Sequence, residues 1–243
     1  MQLYEGKIFI SAFYGKILEE FIIIAKALLT IALIASATII TATASEEESS
    51  LTPEIALQNL MNGNLRYAEG NASHPHHSPE RRAELLSGQH PFAVILGCSD
   101  SRIVPELIFD QGLGDVFVIR TAGEVLDNVS LASIEYAIDH LGVPLVVVLG
   151  HDRCGAVTAA IEGGETEGHL GCLIDFIQPA VDQAREAGEE SDLLNCSIDN
   201  NVHNLVEALE SSQPILSEKV ERGELMILGA HYHMDSGLVE ILE

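Results

Sequence analysis

Residues 92–102 read FAVILGCSDSR, an apolar run of strand type that passes directly into Gly, Cys and charged residues. Residues 145–155, LVVVLGHDRCG, repeat this arrangement. Continuous runs of Val, Ile and Leu over four or five residues are typical of strands buried on both faces, as in a parallel sheet. The predicted strands are Phe92–Leu96, Val116–Ile119, Leu145–Leu149 and Leu225–Leu228. Together they predict a central sheet that is mostly parallel.

Helical patterns lie between the predicted strands. Apolar residues at intervals of three and four predict helices over 129–141 and 201–209. Thr52 followed by Pro53 has the residue types of an N-cap and a first helical position. The expected connections are the polar segments 71–79, 163–171 and 188–201. Strands that alternate with helices predict an α/β fold whose mostly parallel sheet is flanked by helices.

The composition limits the classes of function. The chain has 243 residues with 12 Lys+Arg and 37 Asp+Glu, a formal net charge of −25 at pH 7, and 47% hydrophobic residues. That hydrophobic share is enough for a core, and the length suits one sizeable domain or two small ones. The negative charge disfavours binding to nucleic acid and to anionic lipid, because both require a basic surface. Four cysteines are too few for a fold built on disulfides.

The first 44 residues have the pattern of a secretory signal peptide. A largely apolar stretch at 27–40 follows Lys26 and leads to the A-x-A pattern at 42–44, after which three Glu residues follow. We therefore predict cleavage after Ala44, export to the periplasm or out of the cell, and a single catalytic domain over residues 45–243. A retained membrane anchor is the alternative interpretation, and contact with a membrane is expected only in that case.

Chemically reactive residues follow two of the predicted strands. Cys98 comes after the first strand, and His151 and Cys154 come after the third. The carboxyl ends of parallel strands meet at one edge of a sheet, where ligands bind, so these side chains are expected to converge. Two thiolates and one imidazole form a zinc-binding set, and three protein ligands leave the fourth position open as in catalytic sites. The alternatives are buried core cysteines or a disulfide between Cys98 and Cys154.

Taken together, the two motifs resemble those of the bacterial β-class carbonic anhydrases. C-S-D-S-R at 98–102 followed by H-x-x-C at 151–154 carries the resemblance, which extends over residues 57–242. The other matching segments are Gly63-Asn64-x-Arg66-Tyr67, Gly88-Gln89-x-Pro91-Phe92-Ala93, Glu106-x-Ile108-Phe109-Asp110-Gln111-Gly112-x-Gly114-Asp115, Arg120-x-Ala122-Gly123, Ser133-Ile134-Glu135-Tyr136 and Cys154-Gly155-Ala156. The resemblance implies the α/β fold of that family and the reversible hydration of CO₂ to bicarbonate and a proton.

The resemblance also implies roles for individual residues. Cys98, His151 and Cys154 are expected to bind one Zn²⁺ per subunit, and attack of zinc-bound hydroxide on CO₂ makes the protein a lyase, a carbonate dehydratase. Zinc lowers the pKa of its bound water toward ~7, and carbonic anhydrase with a three-His ligand set is itself the standard example of this effect. Asp100 and Arg102 are expected to form the catalytic dyad of the family, and either Asp100 or water fills the fourth zinc position.

Several positions depart from the pattern of the family. His77 stands near the position of a substrate-binding Gln, and we expect it either in the substrate pocket or as an ordinary loop residue. Gly155 is expected to let the backbone approach that pocket closely. Glu124 stands where Asn is common and is expected to add a negative charge near the site. The ending Gly229-Ala230-His231-Tyr232-His233 departs from the usual Tyr-Asp pair, and His231 and His233 are expected at the surface.

The resemblance implies an assembly, and it leaves other functions open. The family is built of dimers with active sites at the subunit interface, so a homodimer or higher homo-oligomer is expected. The competing functions are a hydrolase of COS or CS₂ on the same fold and a non-catalytic zinc or thiol protein. Comparing the turnover of COS or CS₂ with that of CO₂ distinguishes the hydrolase from a carbonic anhydrase. The metal content and the thiol state of Cys98 and Cys154 distinguish the non-catalytic protein from an enzyme. Cys172 and Cys196 lie outside the motifs, and either a disulfide or two free thiols fits the sequence.

Overall fold

A computed structural model describes residues 51–242, in which helices separate the first four strands from one another. The helices are α1 (Pro53–Ala68), α2 (Pro79–Glu84), α3 (Pro105–Ile108), α4 (Asn128–His140), α5 (Gly155–Glu162), α6 (Leu170–Glu186), α7 (Leu193–Glu210) and α8 (Ile215–Glu221). The strands are β1 (Ala93–Cys98), β2 (Val116–Thr121), β3 (Leu145–His151), β4 (Met226–Tyr232) and β5 (Val239–Leu242). The predicted signal peptide at 1–44 lies outside the described residues. Within residues 51–242, no helix is long and apolar enough to span a bilayer.

The five strands form one sheet in the order β2–β1–β3–β4–β5. Strand β1 runs parallel to β2 and β3, and β3 runs parallel to β4. Strand β5 is antiparallel to β4 and forms one edge. The predicted mostly parallel sheet with flanking helices is therefore confirmed. The sequence pattern does not predict β5, because its four residues, VEIL, are a short run interrupted by a charge.

Both faces of the central strands are covered by helices. Strands β1 and β3 are buried along their whole length. On one face, Ile95 packs in a cluster with Leu60 of α1 and with residues of α3. On the other face, Leu96 packs in a cluster with Ile134 of α4 and with residues of α7 and α8. This burial on two sides is the reason why the strands are continuously apolar rather than alternating.

Local signals set the starts of two helices that the sequence predicts. At α1, the Thr52 hydroxyl oxygen accepts a hydrogen bond from the backbone N–H of Ile55 at 3.4 Å, and Pro53 is the first helical residue. At α4, Asp127 accepts from the backbone N–H of Ser130 at 2.8 Å. The Ser130 hydroxyl in turn accepts from the Asp127 N–H at 2.8 Å. This reciprocal capping satisfies N–H groups that have no partner within the helix.

The segment 188–201 is not the connection that the sequence pattern predicts, because α7 begins within it at Leu193. Two of its polar residues, Ser197 and Asn201, face inward instead of marking a loop. Ser197 Oγ donates to the Leu193 carbonyl at 2.6 Å, and Asn201 Nδ2 donates to the Gly123 carbonyl at 3.0 Å. These hydrogen bonds satisfy the polar groups, so the residues are buried at little cost in free energy. Helix α6 is likewise absent from the sequence prediction.

The strand order creates a crevice at the carboxyl end of the sheet. From β1 the chain passes through α3 to β2 on one side, whereas β3 lies on the other side of β1. Where connections leave neighbouring strands in opposite directions, a space opens between them that parallel α/β proteins use to bind ligands. Strand β1 ends at Cys98 and β3 ends at His151. The two sequence motifs therefore meet at this crevice.

Candidate active site

Four side chains that can bind a metal meet at the carboxyl ends of β1 and β3. Cys98 and His151 are the last residues of these strands, and Cys154 directly precedes α5. Glu124 reaches the same place from the turn after β2. One donor atom of each residue lies within 4.8 Å of the others, and all four residues are buried. We call this group the ligand cluster; it contains the three predicted zinc ligands and one residue that the sequence analysis does not assign to the metal.

His151 is oriented for metal binding by a hydrogen bond at its other ring nitrogen. Nδ1 lies 2.8 Å from the Asp152 carbonyl oxygen, and a carbonyl only accepts, so Nδ1 carries the proton. The proton-free Nε2 is buried and has no hydrogen-bond partner. A buried acceptor in this state costs free energy that binding of a cation recovers. One imidazole and two thiols therefore fit Zn²⁺, which prefers nitrogen and sulfur ligands.

The two thiols of the cluster differ in acidity. Cys98 Sγ accepts hydrogen bonds from the backbone N–H groups of Asp100 at 3.4 Å and of Gly123 at 3.3 Å. A hydrogen bond from the Cys154 thiol is the main cause that lowers the pKa of Cys98, and these N–H groups add to it. The same hydrogen bond, together with burial and the nearby Glu124 carboxylate, raises the pKa of Cys154. A bound divalent cation replaces the Cys154 proton, because thiolates are the metal-binding form.

Asp100 and Arg102 form a bidentate ion pair beside the ligand cluster. Arg102 Nε donates to Asp100 Oδ1 at 2.9 Å, and Arg102 Nη2 donates to Asp100 Oδ2 at 2.7 Å. The hydrogen bonds from Arg102 hold the pKa of Asp100 well below its usual range, so this carboxylate is ionised at neutral pH. Arg102 also donates to the Arg153 carbonyl at 3.2 Å, which ties the two motifs together. Asp100 is thus held by arginine and does not belong to the ligand cluster.

Arg120 of β2 supports the backbone that joins Cys98 to Asp100. Its Nε donates to the Cys98 carbonyl at 2.7 Å, and its Nη2 donates to the Asp100 carbonyl at 2.6 Å. A planar guanidinium that bridges two carbonyls holds the turn between them in one geometry. The sequence shows Arg120 only as part of a matching segment, and this supporting role depends on the pairing of β1 with β2.

Glu124 is deeply buried. The residue is 1% exposed, and its Oε1 has no hydrogen-bond partner among residues 51–242. Burial, reinforced by the negative charges of Cys98 and Asp100, raises the pKa of Glu124 well above its ordinary value. Burial therefore disfavours the ionised form of Glu124, and its expected negative charge near the site stays a prediction. Its inward direction follows from a backbone turn in which Gly123 and Glu124 have φ values of 67° and 56°.

His77 and Gly155, the two residues expected at the substrate pocket, do not join the ligand cluster. His77 is exposed on the polar segment 71–79, which we call the histidine loop, and its ring meets that of His74 edge-on with centroids 6.2 Å apart. Gly155 begins α5, and a Cβ built there meets no atom within 4 Å. The space beside Gly155 is therefore open, and its expected place at the substrate pocket stays a prediction.

His231 is buried, and its expected place at the surface is wrong. Its Nδ1 lies 2.6 Å from Asp199 Oδ1, and its Nε2 lies 3.0 Å from Asp152 Oδ1. Burial by itself lowers the pKa of His231, but the hydrogen bonds with both carboxylates outweigh it and raise the pKa. His233 is half-buried and stacks on the ring of His231 with centroids 4.8 Å apart. Two carboxylates from distant parts of the chain make burial of this imidazole favourable.

All four cysteines lie within the described residues and are free thiols. Cys98 and Cys154 are therefore not joined in a disulfide, which was one alternative for the motif. Cys172 is exposed on α6, and Cys196 is half-buried on α7. The thiols of the ligand cluster are thus available to bind a metal.

Known proteins resemble this chain in sequence and in fold. A family model described as carbonic anhydrase matches residues 93–239. Carbonic anhydrase 2 of Mycobacterium tuberculosis is 43% identical over 189 residues, which cover 76% of this chain and 90% of the relative. The carbonic anhydrase of Mycolicibacterium smegmatis is 41% identical over 194 residues, covering 78% and 93%.

Solved structures with the same fold are also found. The β-carbonic anhydrase CafA of Aspergillus fumigatus superposes with a TM-score of 0.63 at 31% identity, covering 77% of this chain and 90% of that one. A structure from Sordaria macrospora, one of two described as tetrameric β-carbonic anhydrases, superposes with a TM-score of 0.64 at 26% identity, covering 76% and 96%.

Proposed function

The chain belongs to the β-carbonic anhydrase family, lyases whose known activity is the hydration of CO₂, and from this premise we propose that it converts CO₂ reversibly to bicarbonate with one Zn²⁺ per subunit held by Cys98, His151 and Cys154. The observation that carries the proposal is the ligand cluster. Its donor atoms lie within 4.8 Å of one another, and the His151 Nε2 is buried without a hydrogen-bond partner.

Zinc bound there would supply Lewis-acid activation of water, lowering the pKa of that water toward ~7. The residues of the chain prepare the place for it. With the metal bound, Cys98 and Cys154 would provide two negative charges that match a divalent cation, and His151 would provide a neutral nitrogen. Val157 and Ile177 pack in the same buried cluster as the thiols and keep bulk water away, which strengthens electrostatic interactions inside.

Asp100 is suited to orient the reacting water. Its carboxylate is ionised and is held by two hydrogen bonds from Arg102. Such a carboxylate accepts a hydrogen bond from water and directs the lone pair of the water oxygen toward the carbon of CO₂. Arg102 acts through Asp100 and is a positioning residue, and its own position is set by the Arg153 carbonyl.

We further propose that the chain forms a homodimer or a larger homo-oligomer in which the histidine loop of one subunit approaches the site of the other. Within one chain, His77 lies on this exposed loop and does not meet the ligand cluster. A second subunit gives His77 and Gly155 a route to a shared substrate pocket. Sedimentation equilibrium over a range of concentrations tests the assembly, and a monomer with full activity would contradict it.

We also propose export, with cleavage after Ala44. The support is the sequence alone: Lys26, the apolar stretch at 27–40 and the A-x-A pattern at 42–44. N-terminal sequencing of the protein recovered from cell fractions tests this proposal. A product that begins at Ser45 in the exported fraction supports cleavage, and an uncleaved chain in the membrane fraction supports an anchor instead.

The proposed function is tested by stopped-flow measurement of CO₂ hydration on the zinc-saturated protein, with Cys98→Ser as the ligand variant. We expect one zinc per chain and hydration that depends on Cys98. Equal hydration by both proteins would refute the assignment. Turnover of COS or CS₂ above that of CO₂ would support the hydrolase alternative. Zinc without turnover would support a non-catalytic protein.

A further inference from the structure

Glu124 occupies a position that the family resemblance assigns to no function. The residue is 1% exposed, its Oε1 has no hydrogen-bond partner, and its carboxylate lies within 4.8 Å of the donor atoms of Cys98, His151 and Cys154. Among residues 51–242, no basic side chain forms an ion pair with it. Buried charges in proteins are paired or coordinate metals, so an ionised Glu124 carboxylate requires a cation beside it.

The backbone turn that directs Glu124 inward is held on several sides. Gly123 donates its N–H to Cys98 Sγ at 3.3 Å and accepts from Asn201 Nδ2 at 3.0 Å. A Cβ at Gly123 would lie 2.6 Å from Ile177 Cδ1 and 3.0 Å from Ala156 Cβ, so another residue there would require its neighbours to shift. Glu124 itself has a φ of 56°, a left-handed backbone conformation that residues other than glycine rarely adopt. Residues held in such conformations cluster at functional sites.

The two carboxylates next to the thiols differ in their partners. Asp100 is engaged by two hydrogen bonds from Arg102, at 2.9 and 2.7 Å, and lies outside the ligand cluster. Glu124 has no such partner and lies within it. Zinc in proteins takes four ligands in most sites, and where three come from side chains the fourth position is filled by water, substrate or a further side chain such as a carboxylate. The carboxylate of Glu124, which lies within the ligand cluster, is therefore better placed to fill the fourth position than that of Asp100, which Arg102 holds.

We propose that Glu124 is the fourth ligand of the metal in the resting protein, so that its carboxylate and water compete for one coordination position. The inference rests on the proposed zinc site. It implies that the resting site is closed, and that the Glu124 side chain must turn away before water is activated. A carboxylate in this position also increases the affinity for the metal.

Metal affinity and cobalt spectra test whether Glu124 binds the metal, and neither measurement relies on turnover. The variants are Glu124→Gln, which keeps the shape and removes the ligand charge, and Glu165→Gln as a matched control on an exposed loop. Zinc affinity is measured by competition with a chromophoric chelator. Cobalt(II) in place of zinc reports coordination through its visible absorption, and thiocyanate probes whether an exchangeable water is bound.

We expect zinc to bind Glu124→Gln about 10- to 100-fold more weakly than the wild type, by analogy with the loss of supporting groups at metal sites. Glu165→Gln should match the wild type. Thiocyanate should change the cobalt spectrum of Glu124→Gln but not of the wild type. CO₂ hydration by Glu124→Gln at saturating zinc should exceed that of the wild type, because water no longer competes with the carboxylate for the fourth position.

A change of the wild-type cobalt spectrum on addition of thiocyanate overturns the inference. This measurement uses only the wild-type protein, so it does not depend on whether a variant folds. Equal zinc affinity of the wild type and Glu124→Gln overturns it as well. The proposed function fails separately: it is lost if Cys98→Ser binds zinc as tightly as the wild type. If Cys98→Ser loses zinc while Glu124→Gln keeps it, only the role of Glu124 is wrong.

Discussion

Replacing Asp110 by Asn is expected to destabilise the protein by about 2–4 kcal/mol, because Asp110 fastens the histidine loop to the core. The Asp110 side chain is fully buried. Its Oδ2 accepts hydrogen bonds from Arg66 Nε at 2.6 Å, the Ser73 N–H at 2.9 Å and the Ser73 hydroxyl at 2.8 Å. Its Oδ1 accepts from the His74 N–H at 2.8 Å. Every partner is a donor, and asparagine offers only one acceptor oxygen.

The magnitude follows from this set of donors. If the Asn oxygen takes the place of Oδ2, its amide nitrogen faces the His74 N–H, and two donors meet. A buried donor left without an acceptor costs about 1–3 kcal/mol, and hydrogen bonds to a charged acceptor lose roughly 1 kcal/mol when it becomes neutral. The contribution of Arg66 is small, because its side chain is 39% exposed. The sum corresponds to a fall in Tm of roughly 5–15 °C for a chain of this size.

Thermal unfolding of the zinc-saturated proteins at pH 7, followed by circular dichroism, measures the effect. The matched control is Asp182→Asn, whose carboxylate is 56% exposed and lies 3.9 Å from Arg185, so a change below about 0.5 kcal/mol is expected. A Tm of Asp110→Asn within 1–2 °C of the wild type (roughly 0.5 kcal/mol or less) would refute the reasoning. It would mean that the histidine loop is not held by this carboxylate.

The pH dependence provides an independent check. Burial by itself raises the pKa of Asp110, but hydrogen bonds from Ser73, Arg66 and His74 outweigh it and hold the pKa below its usual range. A carboxylate with a lowered pKa stabilises the folded state above its unfolded pKa of about 4, and the stabilisation is lost as the pH falls through the folded pKa. The difference between wild type and Asp110→Asn should therefore be constant from about pH 5 to 8 and shrink below about pH 4.

Three further variants test other parts of the structure. Asp100→Asn should lower kcat/KM for CO₂ hydration at least about 100-fold with unchanged zinc content, and full activity by stopped flow would exclude an orienting role. His231→Gln should destabilise by about 1–3 kcal/mol at pH 6 and by less at pH 9, measured by urea unfolding. The raised pKa of His231 makes its stabilisation complete below about 6.5 and lost as the pH rises through the folded value. Gly123→Ala should destabilise by about 1–3 kcal/mol more than Gly163→Ala in thermal unfolding. Both glycines have positive φ, but only at Gly123 would a Cβ clash, 2.6 Å from Ile177; equal effects would count against the held turn.

The strands and much of the site are predictable from the sequence because their signals are local. Strands β1 and β3 are continuous apolar runs, and each is followed directly by its motif, so the convergence of Cys98, His151 and Cys154 follows from parallel pairing alone. The start of α7 is not predictable in this way. Ser197 and Asn201 look like loop residues, and only their hydrogen bonds to Leu193 and Gly123 allow them to be buried in a helix.

By itself, the sequence determined the α/β architecture, the family and the set of residues that can bind the metal, because periodicity and motif spacing are properties of neighbouring residues. Only the tertiary structure decided the environment of each charge. It paired Arg102 with Asp100, buried Glu124 beside the thiols with no hydrogen-bond partner for its Oε1 among residues 51–242, and buried His231 between Asp152 and Asp199. The physical reason is that burial and ion pairing depend on side chains that are far apart in the chain and meet only when the sheet and its helices assemble.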